Sequence, residues 1–116
     1  MSGNLQLLPK EFLNELKPYV SLLFAQTTEF IQAKKNENIA KTLLHYYILA
    51  EKLGVKKQFN FPIKFGIPVF EKIGLEEDED LQKEWAKLLV AASEEYNSIH
   101  LQYADILSNG RLYLHR

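Results

Sequence analysis

The sequence predicts an all-α protein, a small bundle of four to five helices with one extended connector. Three observations predict it. Apolar residues recur at steps of three and four in successive segments, which is the spacing of one buried helix face. Gly, Pro and Asn punctuate those segments where helices would start and stop. Only one stretch alternates as a strand would, and no second stretch is there to pair with it. A chain of 116 residues suits a single helical domain with one modest core. Its 47% hydrophobic and 25% charged content is that of a globular protein and excludes a disordered one.

Residues 1–54 supply a kinked N-terminal helix and an amphipathic helix. Pro9, Lys10 and Glu11 open the first, with proline in the first turn where its missing N–H does no harm. Phe12, Leu13 and Leu16 share a face, Pro18 kinks or restarts the helix, and Tyr19, Leu22, Leu23, Phe30 and Ile31 continue the stripe to residue 33. "AKKNEN" reads as a polar break, with Asn36 or Asn38 capping the next helix. There Ile39, Leu43, Tyr46, Ala50 and Leu53 form the cleanest amphipathic stripe of the first half, and Gly54 ends it in a left-handed turn. His45, two positions from Leu43, is placed outward or at the rim.

Residues 55–67 form the connector. Phe59, Phe61, Ile63 and Phe65 alternate with polar or proline positions, but Pro62 and Pro68 remove ladder donors, so the segment reads as extended chain whose rings cover the core. Residues 68–108 hold the remaining helices. Pro68 opens a short one with Val69, Phe70 and Ile73 inward, and Gly74 closes it. Leu81, Trp85, Leu88, Leu89, Ala92 and Tyr96 mark a longer one. Asn97 and Ser98 break or cap, Ile99, Tyr103, Ile106 and Leu107 form a last stripe, and "SNG" ends it, leaving 109–116 as a tail. The expected core is Leu43, Tyr46, Leu53, Val69, Phe70, Leu81, Trp85, Leu88 and Leu89.

What remains is the search for chemistry. The chain has no cysteine, which excludes disulfides, thiolate zinc sites and a cysteine nucleophile, and fits a reducing cytoplasm. The start, "MSGNLQLLPKEF", has no signal-peptide pattern, and "YVSLLFA" is far short of the ~20 residues of a membrane helix. The expected location is cytoplasmic, with no membrane role.

Glu76 to Asp80 is an unbroken acidic run. A calcium loop would need a glycine and a further ligand where Gln82 and Lys83 stand, so the run reads as a helix start, with Asp78 or Glu76 as cap. No two histidines are three or four apart, so there is no local zinc pair. His100 with Asp105 or with the acidic run is the only acid/base pairing on offer. Lys52, Lys56, Lys57 and Lys64 interleave with Phe59, Phe61 and Phe65 as in a single-strand binder, but the rings are needed for the core and the segment lacks arginine. The net charge of −1 gives no general attraction to nucleic acid.

The run "IPVFEKIGLEEDEDLQKEWAKLLVAASEE…IHLQYADIL" resembles the bacterial abortive-infection alpha family (Abi-alpha), which overlaps proteins described only as a domain of unknown function. The family pattern is a proline-led short helix, an acidic "EEDEELQ" turn, a "WANLL" helix, a His-containing break and a final "F-x-E-I-L" helix. Pro68, residues 76–80, Leu81, Gln82, Trp85, Ala86, Leu88 and Leu89 carry the likeness in the middle; His100, Tyr103, Asp105, Ile106 and Leu107 carry it loosely at the end. Lys87 and Leu101 depart from the pattern, which has asparagine after "WA" and often proline after the histidine. The resemblance implies an all-α bacterial or mobile-element protein, a role in limiting phage growth, and no catalytic residue. Members of that family usually continue past the last helix, so the chain reads either as a whole single-domain protein or as the N-terminal part of a longer one.

The functional expectation is a non-enzymatic helical interaction module without cofactor, metal or small-molecule substrate, acting through a protein partner or through itself. Residues 1–74 carry ten Lys and six Glu, a charge of +4, while residues 75–116 carry four Lys/Arg and nine Asp/Glu, a charge of −5. Such a split pairs the two halves internally or pairs the chain with another copy. The first helix is apolar on more than one side, so Leu8, Tyr19, Leu22, Leu23 and Phe24 are the expected interaction surface in a two-fold dimer through residues 5–31; the alternative is a monomer with that helix central in the bundle. The alternatives are a metal-dependent hydrolase using residues 76–80 with His100, and a weak nucleic-acid binder using residues 52–64.

Overall fold

The computed structural model describes residues 29–109, together with the isolated helical positions Lys10 and Asn14. Among the described residues there are four helices and no strand: α1 (Glu29–Leu53), α2 (Ile63–Gly74), α3 (Glu79–Glu94) and α4 (Ser98–Ser108). The protein is a small all-α bundle. The expected surface at Leu8, Tyr19, Leu22, Leu23 and Phe24, and the tail beyond Asn109, lie outside the described residues.

α1 runs 25 residues without interruption, straight through "AKKNEN". Asn36 and Asn38 therefore cap nothing of their own; both sit mid-helix and are buried. The polarity of Asn38 answers a tertiary neighbour rather than a chain break, while Asn36 Oδ1 is buried without a hydrogen-bond partner. Asn38 Nδ2 donates to the Gly74 carbonyl oxygen at 2.8 Å, satisfying one of the free carbonyls at the end of α2. Lys35 lays its stem against the same glycine and reaches Glu71 at 3.2 Å. A Cβ on Gly74 would lie 3.2 Å from Lys35 Cγ, so a larger residue there would push the Lys35 stem aside by a few tenths of an ångström. α1 ends as expected: Val55 N–H donates to Ala50 O and Gly54 N–H to Glu51 O, with Gly54 at φ 71°.

Leu53 is a correction. It is 55% exposed, not core. Its helical spacing is right, but it is the last residue of α1, and the chain turns away at Gly54 before another element can cover it. The connector is also shorter than expected, because α2 begins at Ile63, with Pro62 as N-cap. Pro62 O accepts from the N–H groups of both Phe65 and Gly66. Pro68 consequently lies inside α2 instead of opening it. An interior proline costs about 3 kcal/mol relative to alanine; burial of Phe65, Val69, Phe70 and Ile73 along one face offsets it.

The connector folds back over α1. Phe59 takes a positive φ of 54°, unusual for a residue with a side chain. Two contacts hold it there: its N–H donates to Tyr46 Oη at 3.1 Å, and its ring stacks on Tyr46 at 5.1 Å. The Tyr46 hydroxyl also bonds Ser93 Oγ at 2.9 Å, tying connector, α1 and α3 together at one buried point.

α3 is the centre of the bundle and makes its largest interface with α1. Neighbouring α1 residues reach opposite ends of α3, His45 toward Glu79 and Tyr46 toward Ser93, so α1 lies across α3. Leu81, Trp85, Ala86, Leu88, Leu89, Val90 and Ala92 of α3 pack with Ile39, Leu43 and Tyr46 of α1 and the α2 face in one core. α4 packs on α3 and touches α2, with Ala104 and Leu107 inward. No described helix is long and apolar enough to cross a membrane.

Candidate functional site

The acidic turn is the densest group of ionisable side chains, and the fold distributes its members. Asp78 is the N-cap of α3: its Oδ1 accepts the Leu81 N–H at 3.1 Å. Glu76 is buried and accepts the Asp78 N–H through Oε2 at 3.2 Å, while its backbone carbonyl accepts from Gln82 Nε2 at 2.8 Å. Glu77 points toward Lys34 at 3.9 Å and Glu79 toward His45 Nε2 at 3.5 Å. Glu79 and Asp80 occupy the first turn of α3, where the helix dipole favours negative charge. A metal site requires carboxylates converging on one point, and these diverge. Among the described residues no group of three or more His, Asp or Glu side chains is placed to hold a metal ion.

His100 is not brought to the acidic run. Its Nδ1 accepts the Asn97 N–H at 3.0 Å, completing a capping box in which Asn97 Oδ1 accepts from Ile99 N–H at 2.9 Å. The 16 residues of α3, a rise of about 24 Å, separate the two. The ring of His100 packs instead near Tyr96 and Phe65. The pairing with Asp105 fares no better, since Asp105 faces Lys72 at 4.0 Å.

The basic and aromatic segment also separates by type. Phe59 and Phe65 are buried and Phe61 is half-buried, while Lys52, Lys56, Lys57 and Lys64 are exposed. Rings that would stack on bases are occupied with one another: Phe61 meets Phe65 edge-on at 5.0 Å and Phe59 at 6.2 Å. On α3, Glu84 accepts from Lys87 at 2.9 Å, and that bond with the carboxylate's charge holds the Lys87 ammonium above its ordinary range. The pair lies in water, where such contacts are screened.

A different feature stands out on α4. Ile99, Tyr103 and Ile106 fall at i, i+4 and i+7 and are exposed by 66%, 39% and 58%. They form one apolar line that flanks the buried face of Ala104 and Leu107. The sequence shows these three as part of the last stripe; it does not show that the stripe splits in two. The available signal is that apolar residues sit at both 99, 103, 106 and 104, 107, more than a half-covered helix can bury. A second feature is a cavity of about 160 Å³ lined by Lys72, Leu75, Glu76, Trp85 and Ser108. Sequence spacing gives no hint of it, because its walls come from α2, α3, α4 and the turn after α2.

Comparison of the chain with known protein families, with curated proteins and with solved structures finds no match.

Proposed function

We infer that the chain is a non-enzymatic helical interaction module of a bacterial or mobile-element protein, acting in the cytoplasm through helix-mediated association. The carrying observation is the bare line of Ile99, Tyr103 and Ile106 on α4. Three large apolar side chains at helical spacing present a surface that a second helix covers well. The partner is a second copy of the chain. An antiparallel, two-fold pairing about Tyr103 sets Ile99 of one copy against Ile106 of the other, so one patch serves both.

The likeness of residues 67–108 to the abortive-infection alpha family supports placing this association in phage defence. The residues that could have carried hydrolysis support a binding role, since Asp78 and His100 are engaged as helix caps. Light scattering over a range of protein concentrations, at low and high salt, tests the association. A dimer that persists in high salt is the expected result, and a monomer mass throughout overturns it. Plating of phage on cells carrying the wild-type or the Ile106→Asp gene tests the role. Protection by the first and not the second is expected; equal plating on both and on cells without the gene contradicts it.

A further inference from the structure

The two halves of α4 are held by different means. Its buried residues, Ala104 and Leu107, both lie in the second half, where they join the core. The first turn, Ser98 to His100, brings only the half-buried ring of His100 to the bundle. Two surface hydrogen bonds fix that turn: Ile99 N–H donates to Asn97 Oδ1 at 2.9 Å, and Asn97 N–H donates to His100 Nδ1 at 3.0 Å. A segment with few buried contacts and surface hydrogen bonds opens more readily than the core. Ile99, one end of the exposed apolar line, lies inside it.

The second bond fixes the protonation of the ring. A backbone N–H can only donate, so Nδ1 holds a lone pair and the proton of the neutral ring is on Nε2. Glu or Gln at this position of a capping box accepts throughout the neutral range; histidine accepts only while Nδ1 is unprotonated. A proton on Nδ1 would face the Asn97 N–H donor to donor. Its charge would also stand at the positive end of the α4 dipole, in a first turn with no acidic residue to offset it.

The surroundings return little to a charged ring. His100 meets Phe65 of α2 and Tyr96 of the preceding turn at centroid distances of 6.5 and 5.9 Å, inclined by 67° and 36°. These lie at the outer limit, about 6 Å, for a cation over a ring face. Glu94 and Glu95 at the end of α3, and Lys64 beside Phe65, are exposed. Asp105, further along α4, faces Lys72. Among the described residues the histidine with a carboxylate in reach is His45, beside Glu79, and not His100.

We propose that His100 is a proton-sensitive clasp on the first turn of α4, closed at neutral pH and opened by acid, and that self-association through Ile99, Tyr103 and Ile106 weakens as it opens. The closed turn holds the ring unprotonated and the open turn takes a proton freely, so acid favours the open turn. The loss of association rests on the dimer proposed above; the clasp itself does not.

Imidazole nitrogen resonances of the labelled chain test the clasp first. At neutral pH the His100 ring is expected in the Nε2–H form, and an Nδ1–H ring overturns the proposal. Amide exchange at Asn97 and Ile99, corrected for the intrinsic effect of pH, is then compared at about pH 7.5 and about pH 5, on either side of the ordinary histidine range. The comparison is made in Ile106→Asp, so that association does not enter. Protection is expected to fall by about threefold or more in acid, as for one lost surface hydrogen bond. It should stay constant once His100→Gln, which accepts the same bond without titrating, is added. Equal protection at both pH values, or an equal fall with and without His100→Gln, overturns the clasp. Sedimentation equilibrium without Ile106→Asp reads the consequence, in a His45→Gln background that silences the contact with Glu79. The dimer dissociation constant is expected to rise in acid by a similar factor, and His100→Gln to remove the rise. A dimer indifferent to pH overturns the link between clasp and association. A chain monomeric throughout overturns the association, and the exchange measurement still decides the clasp.

Discussion

Leu81, Trp85, Leu88 and Leu89 of α3 and Ile99, Tyr103 and Ile106 of α4 obey the same rule of spacing, yet the first four are buried and the other three are bare. α3 has α1 across one side and α4 on another, so its apolar residues find neighbours around most of its circumference. Among the described residues, α4 rests on α3 and on the edge of α2. Periodicity tells which residues share a face; it does not tell whether anything lies opposite that face. α3 therefore carries stability and α4 carries surface, although their apolar patterns read alike.

The largest effect that can break this contrast is at Trp85. Trp85→Ala removes the biggest fully buried side chain, and a loss of about 3–5 kcal/mol is expected in denaturant unfolding. An unchanged midpoint would place Trp85 in solvent and make α3 no different from α4. Next is the polar contact between α1 and α2. Asn38→Ala leaves the Gly74 carbonyl without its buried donor, and a loss of about 1–3 kcal/mol is expected by the same measurement. If Asn38 were the exposed cap its sequence suggests, Asn38→Gly would be nearly neutral, whereas loss of the buried bond makes glycine at least as costly as alanine. Smaller again is Asp78→Ala, which removes the cap of α3 and should cost about 0.5–2 kcal/mol, with Asp78→Asn recovering most of it. Recovery by asparagine separates a hydrogen-bonding cap from a residue needed for its charge.

These residues also show where the sequence could be read and where it could not. The cap at Asp78, the terminator at Gly54 and the stripe through Trp85 are local: each depends on neighbours within a turn or two. Asn36 and Asn38 could not be read locally. The partner of Asn38 is 36 residues away, and a polar run looks the same whether it faces water or the end of another helix. Pro68 misled for a related reason. A proline at a helix start is common, but here Pro62 already provides the start and tertiary packing of Phe65 and Phe70 carries the helix through the second proline. Leu53 fits the period and fails only because the helix ends there. At the candidate sites, the divergence of the acids depends on Lys34 and His45 of α1, and the cavity by Trp85 depends on elements brought together by the fold.

The smallest expected change in stability belongs to the central claim. Ile106→Asp alters an exposed position, so the unfolding free energy of the monomer should stay within about 0.5 kcal/mol of wild type. Its association should not stay the same. Sedimentation equilibrium of wild type and Ile106→Asp, at matched concentrations, measures both masses directly. The account predicts a concentration-dependent dimer for wild type and a monomer for the variant. A wild-type chain that remains a monomer at every concentration, or a variant that still dimerises, would contradict the assignment of α4 as the associating face.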